Sequence, residues 1–263
     1  MLYGDLAGAS GRAEETLRLA RHYGHNGFAR FMEGGAMVAL PYHLGRWEQA
    51  LEYADPFLAS VEEGSPHYQS STAYCFRGLI RVARGDYAGG VKDADRGVEV
   101  ARGIEDPQAF HPVLAMASSI FVLTENDQRA RQTVREALDA FRGLRRLGSV
   151  AVVEIHNLAW AARKVGSEEE LLSVIGREPF RSPWAQVAEA VAGGDFCGAA
   201  EVLASMGAVS SEAFYRLRAA EALVAEGRQA EADEQLRPAL AFYGSVGATR
   251  YVREGKALLA ASA

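Results

Sequence analysis

The residues of this chain best suited to binding chemistry are aromatic, histidine and arginine side chains at helical spacing. His156, Trp160 and Arg163 are four and three positions apart, which places them on one face of a helix. Aromatic and arginine side chains commonly dominate the energy of protein interfaces. We therefore predict a groove that holds a peptide or a small ligand. Its lining residues would be Tyr42, His43, His156, Trp160, Arg163 and Trp184. The alternative is that the tryptophans are packing residues and Arg163 is a solvated charge at a helix end.

Residues that could support catalysis or metal binding are few. Gly255-Lys256 is followed by alanine and lacks the upstream glycine of a phosphate-binding loop. The chain also has no G-x-S-x-G and no H-E-x-x-H motif. His22 and His25 are three positions apart, but structural zinc usually needs four ligands, so we expect both at the surface or in a turn. The sequence therefore predicts no enzymatic activity, no cofactor and no metal.

Net charge and cysteine content narrow the partners and the compartment. The net charge of −6 indicates no broad basic surface for DNA or RNA. Cys75 and Cys197 are expected to be buried thiols in a reducing compartment. The most apolar segment, residues 113–123, is shorter than the roughly 20 residues that span a bilayer, and the N-terminus lacks an apolar run of signal-peptide length. We therefore predict a cytoplasmic protein with a protein or peptide partner, and with no nucleic acid and no membrane.

The elements that would position the candidate side chains are amphipathic helices in pairs. Over residues 212–226 and 229–243, apolar residues recur three and four positions apart, with Gly227-Arg228 between the two segments. The same unit recurs along the chain, with a small or apolar residue five positions after each turn. The turn residues are Gly11, Gly45, Gly85, Glu125, Gly166, Gly194 and Gly227. Their spacing is close to the period of helix-pair repeats, which is about 34 to 47 residues.

Small and apolar residues indicate how these helices pack. Small residues precede four of the turns by seven positions, which suits a close crossing of helices. They are Gly78, Ser118, Ala159 and Ala220. Residues 113–123 leave no polar face, which predicts a helix buried on all sides. Ser167 with Glu170 predicts a capping box at the start of a helix that Pro179 and Pro183 cut short.

A run of arginines follows the buried segment, on the helix predicted over residues 127–147. It consists of Arg131, Arg135, Arg142, Arg145 and Arg146. The simplest interpretation is a solvated outer face of the helix. The alternative is a docking site for an acidic partner surface.

These observations predict a single all-α repeat domain over residues 1–263. Only ten residues precede Gly11, so the first repeat is expected to lack its first helix and to be incomplete. Thr249 is expected to cap a last helix, and residues 249–263 would form a C-terminal capping helix. Because the end of a solenoid normally needs a polar cap, we expect that the chain start cuts through a longer array and could self-associate through its incomplete repeat.

Gly85-Asp86-Tyr87, Gly45-Arg46-Trp47 and the G-x-x-x-x-A spacing resemble tetratricopeptide repeats (TPRs) over almost the whole chain. Arg77 and Arg81 depart from that pattern, since they occupy positions that the family usually makes apolar. The resemblance implies a right-handed superhelical solenoid of about six to seven TPR-like helix hairpins.

Residues 216–223 and 240–251 carry a more specific resemblance. They look like the C-terminal end of large bacterial, actinobacterial-type signalling proteins, in which an adenylate/guanylate cyclase domain and a P-loop ATPase module precede a tetratricopeptide-like tail. The resemblance implies that this chain is a regulatory tail, a non-catalytic module for protein interaction or sensing. One alternative is a small-ligand- or peptide-binding effector domain of a regulator, for which a closed apolar pocket would replace an open groove. Another is an enzyme fragment that retains nucleotide binding.

Overall fold

The computed structural model describes residues 4–104, 106–143, 152–176 and 182–261. Within these ranges the chain is helical and has no strand. The helices are α1 (Leu6–His22), α2 (Asn26–Gly34), α3 (Ala36–His43), α4 (Trp47–Glu62), α5 (Ser70–Ala83), α6 (Tyr87–Ile104), α7 (Pro107–Leu123), α8 (Asp127–Gly143), α9 (Ile155–Val165), α10 (Glu168–Ile175), α11 (Pro183–Gly193), α12 (Phe196–Met206), α13 (Val209–Ala225), α14 (Gln229–Ser245) and α15 (Thr249–Ala261). Consecutive helices pack against each other, as in an α-helical solenoid.

Tight turns join the helices of each pair, and their backbone conformation confirms most of the predicted turn positions. Gly45, Gly85, Gly166, Gly194 and Gly227 all have positive φ angles, as does Glu125 at 58°. Glycine adopts this left-handed conformation without the steric cost that a side chain adds. The turns therefore lie where the spacing of glycine and small residues predicted them.

The predicted turn at Gly11 is wrong. Gly11 lies inside α1, which begins at Leu6. Asp5 caps this helix, since its carboxylate accepts a hydrogen bond from the Gly8 amide. The first turn of the described chain instead contains Gly24, at a φ of 72°. A glycine costs a helix only about 1 kcal/mol, which burial of the apolar face of α1 outweighs.

Helices α2 and α3 are separated only by Gly35, whose backbone leaves the helical region at φ −109° and ψ −96°. Close packing beside the break explains the glycine pair. A Cβ atom at Gly34 would lie 2.3 Å from the ζ carbon of Phe57. Glycine therefore lets α2 approach α4 closely, and the break redirects the chain into α3.

The packing predictions agree with the structure at the inner helices. Val113, Leu114 and Ile120 of α7 are fully buried. A Cβ atom at Gly78 would lie 3.1 Å from the Cδ1 atom of Ile120, so a larger residue would push α5 away from its neighbours. The other small residues of this set are also buried: Ser118, Ala159 and Ala220.

Several local predictions need correction. Helix α10 does follow Ser167, but the Ser167 side chain makes no capping hydrogen bond, so the bonds of a capping box are missing. Pro183 begins α11, and Pro179 lies outside the described residues. Cys75 is buried as predicted, whereas Cys197 is only partly buried. His22 and His25 are both exposed.

The structure describes three of the five arginines in the predicted run. Arg131, Arg135 and Arg142 are exposed, and Arg142 pairs with Glu170 of α10. The remaining two arginines, Arg145 and Arg146, lie outside the described residues.

Among the described helices, none combines the length and the apolar composition that a membrane crossing requires.

Candidate functional site

The helical array closes on itself. Helix α13 contacts α3, and α15 contacts α5, although long stretches of sequence separate them. The indole N–H of Trp47 donates to the Ser210 hydroxyl at 2.8 Å. The Ser210 hydroxyl in turn donates to the main-chain carbonyl of Tyr42. The first turn of α13 is thereby attached to the turn between α3 and α4.

A second set of hydrogen bonds attaches the end of the chain to α5 and α7. The Thr249 hydroxyl donates to the carbonyl of Arg84 at 2.8 Å, and the Arg84 guanidinium donates to the carbonyl of Val246 at 3.2 Å. Arg250 donates to the carbonyl of Leu123, the last residue of α7. These bonds satisfy carbonyls that helix ends leave without partners. Thr249, predicted to cap the last helix, therefore bonds to a different helix pair. We call Trp47, Arg84, Ser210, Thr249 and Arg250 the closure seam.

Aromatic side chains fill the space that the closure encloses. The His43 and Trp184 rings have centroids 5.2 Å apart, and the His156 ring stacks on Trp184 at 5.6 Å. Trp160 meets Phe214 of α13 edge to face at 5.1 Å. Edge-to-face and offset-stacked rings at these separations attract each other. Side chains of α3, α9, α11 and α13 thus meet in the interior of the array.

The six side chains predicted to line an open groove are therefore distributed differently. His43 and Trp184 are fully buried, and His156 and Trp160 are almost so. Of the remaining two, Tyr42 is partly buried and Arg163 is exposed. The Arg163 guanidinium donates a hydrogen bond to the carbonyl of Ala192 at 3.0 Å. These side chains do not line an open groove in this structure, because α13 packs on His156 and Trp160; a binding role for the six residues stays a prediction.

The sequence analysis missed the acidic residue of this interior, Glu154. Its side chain is 3 % exposed, and its two carboxylate oxygens contact His43 Nε2 and Asn157 Nδ2, each at 2.9 Å. Burial opposes ionisation, but the charge and hydrogen bond of His43 outweigh it and lower the pKa of Glu154. The sequence did carry a signal for Glu154, which is a lone carboxylate among valines and an isoleucine at positions 152–155. Such a neighbourhood indicates burial, and buried charges are almost always paired.

His156 joins this polar cluster to the closing helix α13. The Tyr215 hydroxyl donates to the His156 carbonyl at 2.8 Å and lies 3.3 Å from the His156 Nδ1 atom. Because the hydroxyl proton is used in the bond to the carbonyl, the hydroxyl oxygen can accept a hydrogen bond from the N–H of Nδ1. Burial lowers the pKa of His156 to about 4, although the charge of Glu154 opposes the shift. The imidazole is therefore neutral near pH 7.

Two cavities border the cluster. One, of about 30 Å³, lies at the closure seam among Trp47, His156 and Tyr243, and it has room for one or two water molecules. The buried Tyr243 hydroxyl has no hydrogen-bond partner among the described residues. The other cavity, of about 210 Å³, is mainly apolar and extends from Phe31 to Glu154. Glu154 therefore lines the ligand-sized space, and its neighbour His156 lines the smaller cavity at the seam.

A buried ion cluster lies apart from this site. The Arg77 guanidinium binds the Asp93 carboxylate through two parallel hydrogen bonds of 2.9 and 2.8 Å, and Arg81 adds a third at 2.9 Å. These two arginines, which lie where the predicted repeats would have apolar residues, therefore share one buried carboxylate.

Two further kinds of chemistry in the interior are the reactivity of the Cys75 thiol and metal binding by acidic and histidine side chains. Burial raises the pKa of the Cys75 thiol, so it is protonated at neutral pH and is a poor nucleophile. No group of three or more candidate ligands in the described ranges has an arrangement that could hold a metal ion.

Comparison with protein-family models and with curated proteins gives no match to this chain.

Proposed function

We propose that this chain is a non-catalytic, TPR-like interaction and sensor module whose last helices close over its own concave face. The closure seam is the observation that carries this function. In a helix-pair solenoid the first helices of the pairs line the concave face, and here α3, α5 and α7 are bonded to α13, α14 and α15 instead of to a partner. The packing of α13 and α15 on these helices supports the proposal that this face accepts a helical segment with buried aromatic side chains.

The wider context follows the family resemblance. We propose a right-handed superhelix of six to seven TPR-like pairs, in which α1 belongs to an incomplete first repeat and α15 is a capping helix. The module would act in the cytoplasm as a regulatory C-terminal part of a signalling protein of the cyclase and P-loop ATPase type. It would bind a protein or peptide and could self-associate through its first repeat.

Closure gives such a module a simple form of control. A partner that binds the concave face must first displace α15 and the bonds that hold it. The apparent affinity of the partner is its affinity for the open state multiplied by the fraction of molecules that are open. Any change that weakens closure raises this fraction and therefore strengthens partner binding. The free energy of closure therefore sets the response of the module.

A synthetic peptide of residues 249–261 is a defined test of this function. In the wild-type chain the protein's own α15 occupies the site, so the labelled peptide binds weakly. In a full-length chain with Thr249→Val, Arg250→Ala and Tyr251→Ala, docking of the internal α15 is weakened, and we expect the peptide to bind about tenfold more tightly or better. Fluorescence anisotropy measures both affinities.

Two controls make the result specific. Lys256→Ala alters the exposed side of α15 and should leave the affinity at the wild-type value. A peptide with alanine in place of Tyr251 should bind less well, because Tyr251 is buried against Tyr243 at a ring separation of 4.6 Å. Equal peptide binding by the wild-type and weakened chains would refute the proposed displacement.

A further inference from the structure

The larger cavity is a space that the packing of the helices leaves open. It lies between α2 and α3 on one side and α5 and α7 on the other. Small residues on the facing helices create it, notably Gly35, Ala36, Ala39 and Ala109. Its volume of about 210 Å³ exceeds that of an engineered cavity of about 150 Å³ that binds benzene. A molecule with one aromatic ring and a short side chain fits such a volume.

Aromatic side chains lead from the surface into this cavity. Phe31 and Tyr68 both line it, with their ring centroids 6.0 Å apart. Phe28 is 49 % exposed and stacks on Phe31 at 5.8 Å. Exposed aromatic side chains that continue into an apolar cavity form a surface on which a flat ring or an ammonium group is attracted.

The inner end of the cavity is polar because of Glu154. Each of its carboxylate oxygens contacts one side-chain nitrogen, from His43 and from Asn157. An ionised carboxylate has sites for about four hydrogen bonds, so Glu154 can accept more from a molecule in the cavity. It offers only acceptors, and it would repel a second carboxylate at short range. The cavity therefore discriminates by charge as well as by shape.

We propose that this cavity is a binding site for a small aromatic amine, with the ring between α3, α5 and α7 and the ammonium group donating to Glu154. The site goes beyond the interaction function proposed above and does not depend on it, because the cavity is formed without any displacement of α15. A cavity that is largely apolar with a few convergent polar groups is typical of small-molecule sites. A charge-assisted hydrogen bond at its end supplies the selectivity.

Isothermal titration calorimetry with two matched probes tests the site. The probes are 2-phenylethylamine and 3-phenylpropionate, which share a ring and a short chain but carry opposite charges. We expect the amine to bind the full-length chain and the acid to bind at least about tenfold more weakly. Glu154→Gln should reduce the affinity for the amine by about tenfold and remove most of the difference between the two probes.

A second variant keeps the test decisive if Glu154→Gln fails to fold. Ala39→Phe fills the cavity with a ring and leaves Glu154 in place, so it should abolish binding of the amine. Ala230→Phe adds the same ring at an exposed position of α14 and should change nothing. Equal affinity for the two probes, no saturable binding of the amine, or undiminished binding by Ala39→Phe would each overturn the assignment.

Discussion

The indole N–H of Trp47 donates a 2.8 Å hydrogen bond to the hydroxyl of Ser210, which lies 163 positions further along the chain. Both residues are almost fully buried, so bulk solvent scarcely competes for the bond. It connects the start of α4 with the first turn of α13, and it is central to the closure seam.

Trp47→Phe should destabilise the chain more than Trp160→Phe. The two tryptophans are buried to the same extent, but the indole nitrogen of Trp160 has no hydrogen-bond partner among the described residues. Both variants lose the same volume, and only the first loses a hydrogen bond. We expect the free energy of unfolding to fall by about 1 kcal/mol more for Trp47→Phe, as measured by urea denaturation. Equal losses would mean that the bond to Ser210 contributes nothing.

Gly45→Ala should be more harmful than Gly227→Ala. Both glycines have a φ of 76°, and each turn would suffer the same strain of about 1 to 2 kcal/mol from an added Cβ atom. At Gly45 that atom would also lie 2.7 Å from the Cε2 atom of Phe242, whereas at Gly227 it meets nothing. Urea denaturation should show the larger loss at Gly45, and hydrogen exchange should show faster exchange in α13 for that variant alone. Indistinguishable variants would contradict the close approach of the turn to α14.

Glu125→Gly should stabilise the chain. Glu125 is the one residue other than glycine with a positive φ in the described ranges, at 58°. Relief of the left-handed strain outweighs the greater flexibility of glycine in the unfolded chain, and we expect a net gain of about 0.5 to 1 kcal/mol. Glu226→Gly is the matched control, because Glu226 precedes a turn in the right-handed helical region and should lose stability instead. Differential scanning calorimetry of both variants checks the opposite signs.

Stability should decrease on acidification because of His156. A histidine in the unfolded chain titrates near pH 6.5, whereas burial lowers the pKa of His156 to about 4. Between these values the unfolded chain binds a proton that the folded chain does not, so the free energy of unfolding falls as the pH drops. The loss is at most on the order of 3 kcal/mol.

Urea denaturation at a series of pH values measures that slope. In His156→Gln the part of the slope between about pH 6.5 and 4 should be missing. His22→Gln removes an exposed histidine and should keep the wild-type slope. A wild-type slope in both variants would contradict a neutral, buried His156.

Asp93→Asn should strongly destabilise the chain. Asp93 is 2 % exposed and holds the guanidinium of the buried Arg77 through two hydrogen bonds. Loss of the negative charge leaves that guanidinium with only the exposed carboxylate of Asp55, 3.2 Å away, so we expect a cost of about 3 kcal/mol in urea denaturation. Glu15→Gln removes one partner of the exposed pair with Arg18 and should have little effect. A similarly small effect at both sites would show that the Arg77 pair is effectively solvated.

The helix pairs were predictable because their signals are local. Gly45, Gly85 and Gly227 ended helices where the apolar spacing stopped, and their positive φ angles confirm the turns. The failure at Gly11 has the same origin. A glycine marks a turn only where no apolar face continues through it, and in α1 the buried residues Leu6, Ala13 and Leu17 continue on both sides.

Only some residues of the candidate site were predictable, and its form was not. His43, His156 and Trp184 do lie together, as their types and helical spacing suggested. Helical spacing identifies which side chains share a face, but it does not show what covers that face. Glu154 was missed because it precedes α9 and belongs to no periodic pattern.

By itself the sequence determined the all-helical class, most of the turn positions and the small residues at close crossings, since each depends on neighbours within one or two helical turns. Only the tertiary structure decided that the array closes, that the aromatic face is internal and that Glu154 meets His43 across 111 positions. In solenoids of stacked repeats, each repeat adds a small rotation to the array. Whether Trp47 reaches Ser210 depends on the sum of those rotations, which no short segment of the chain encodes.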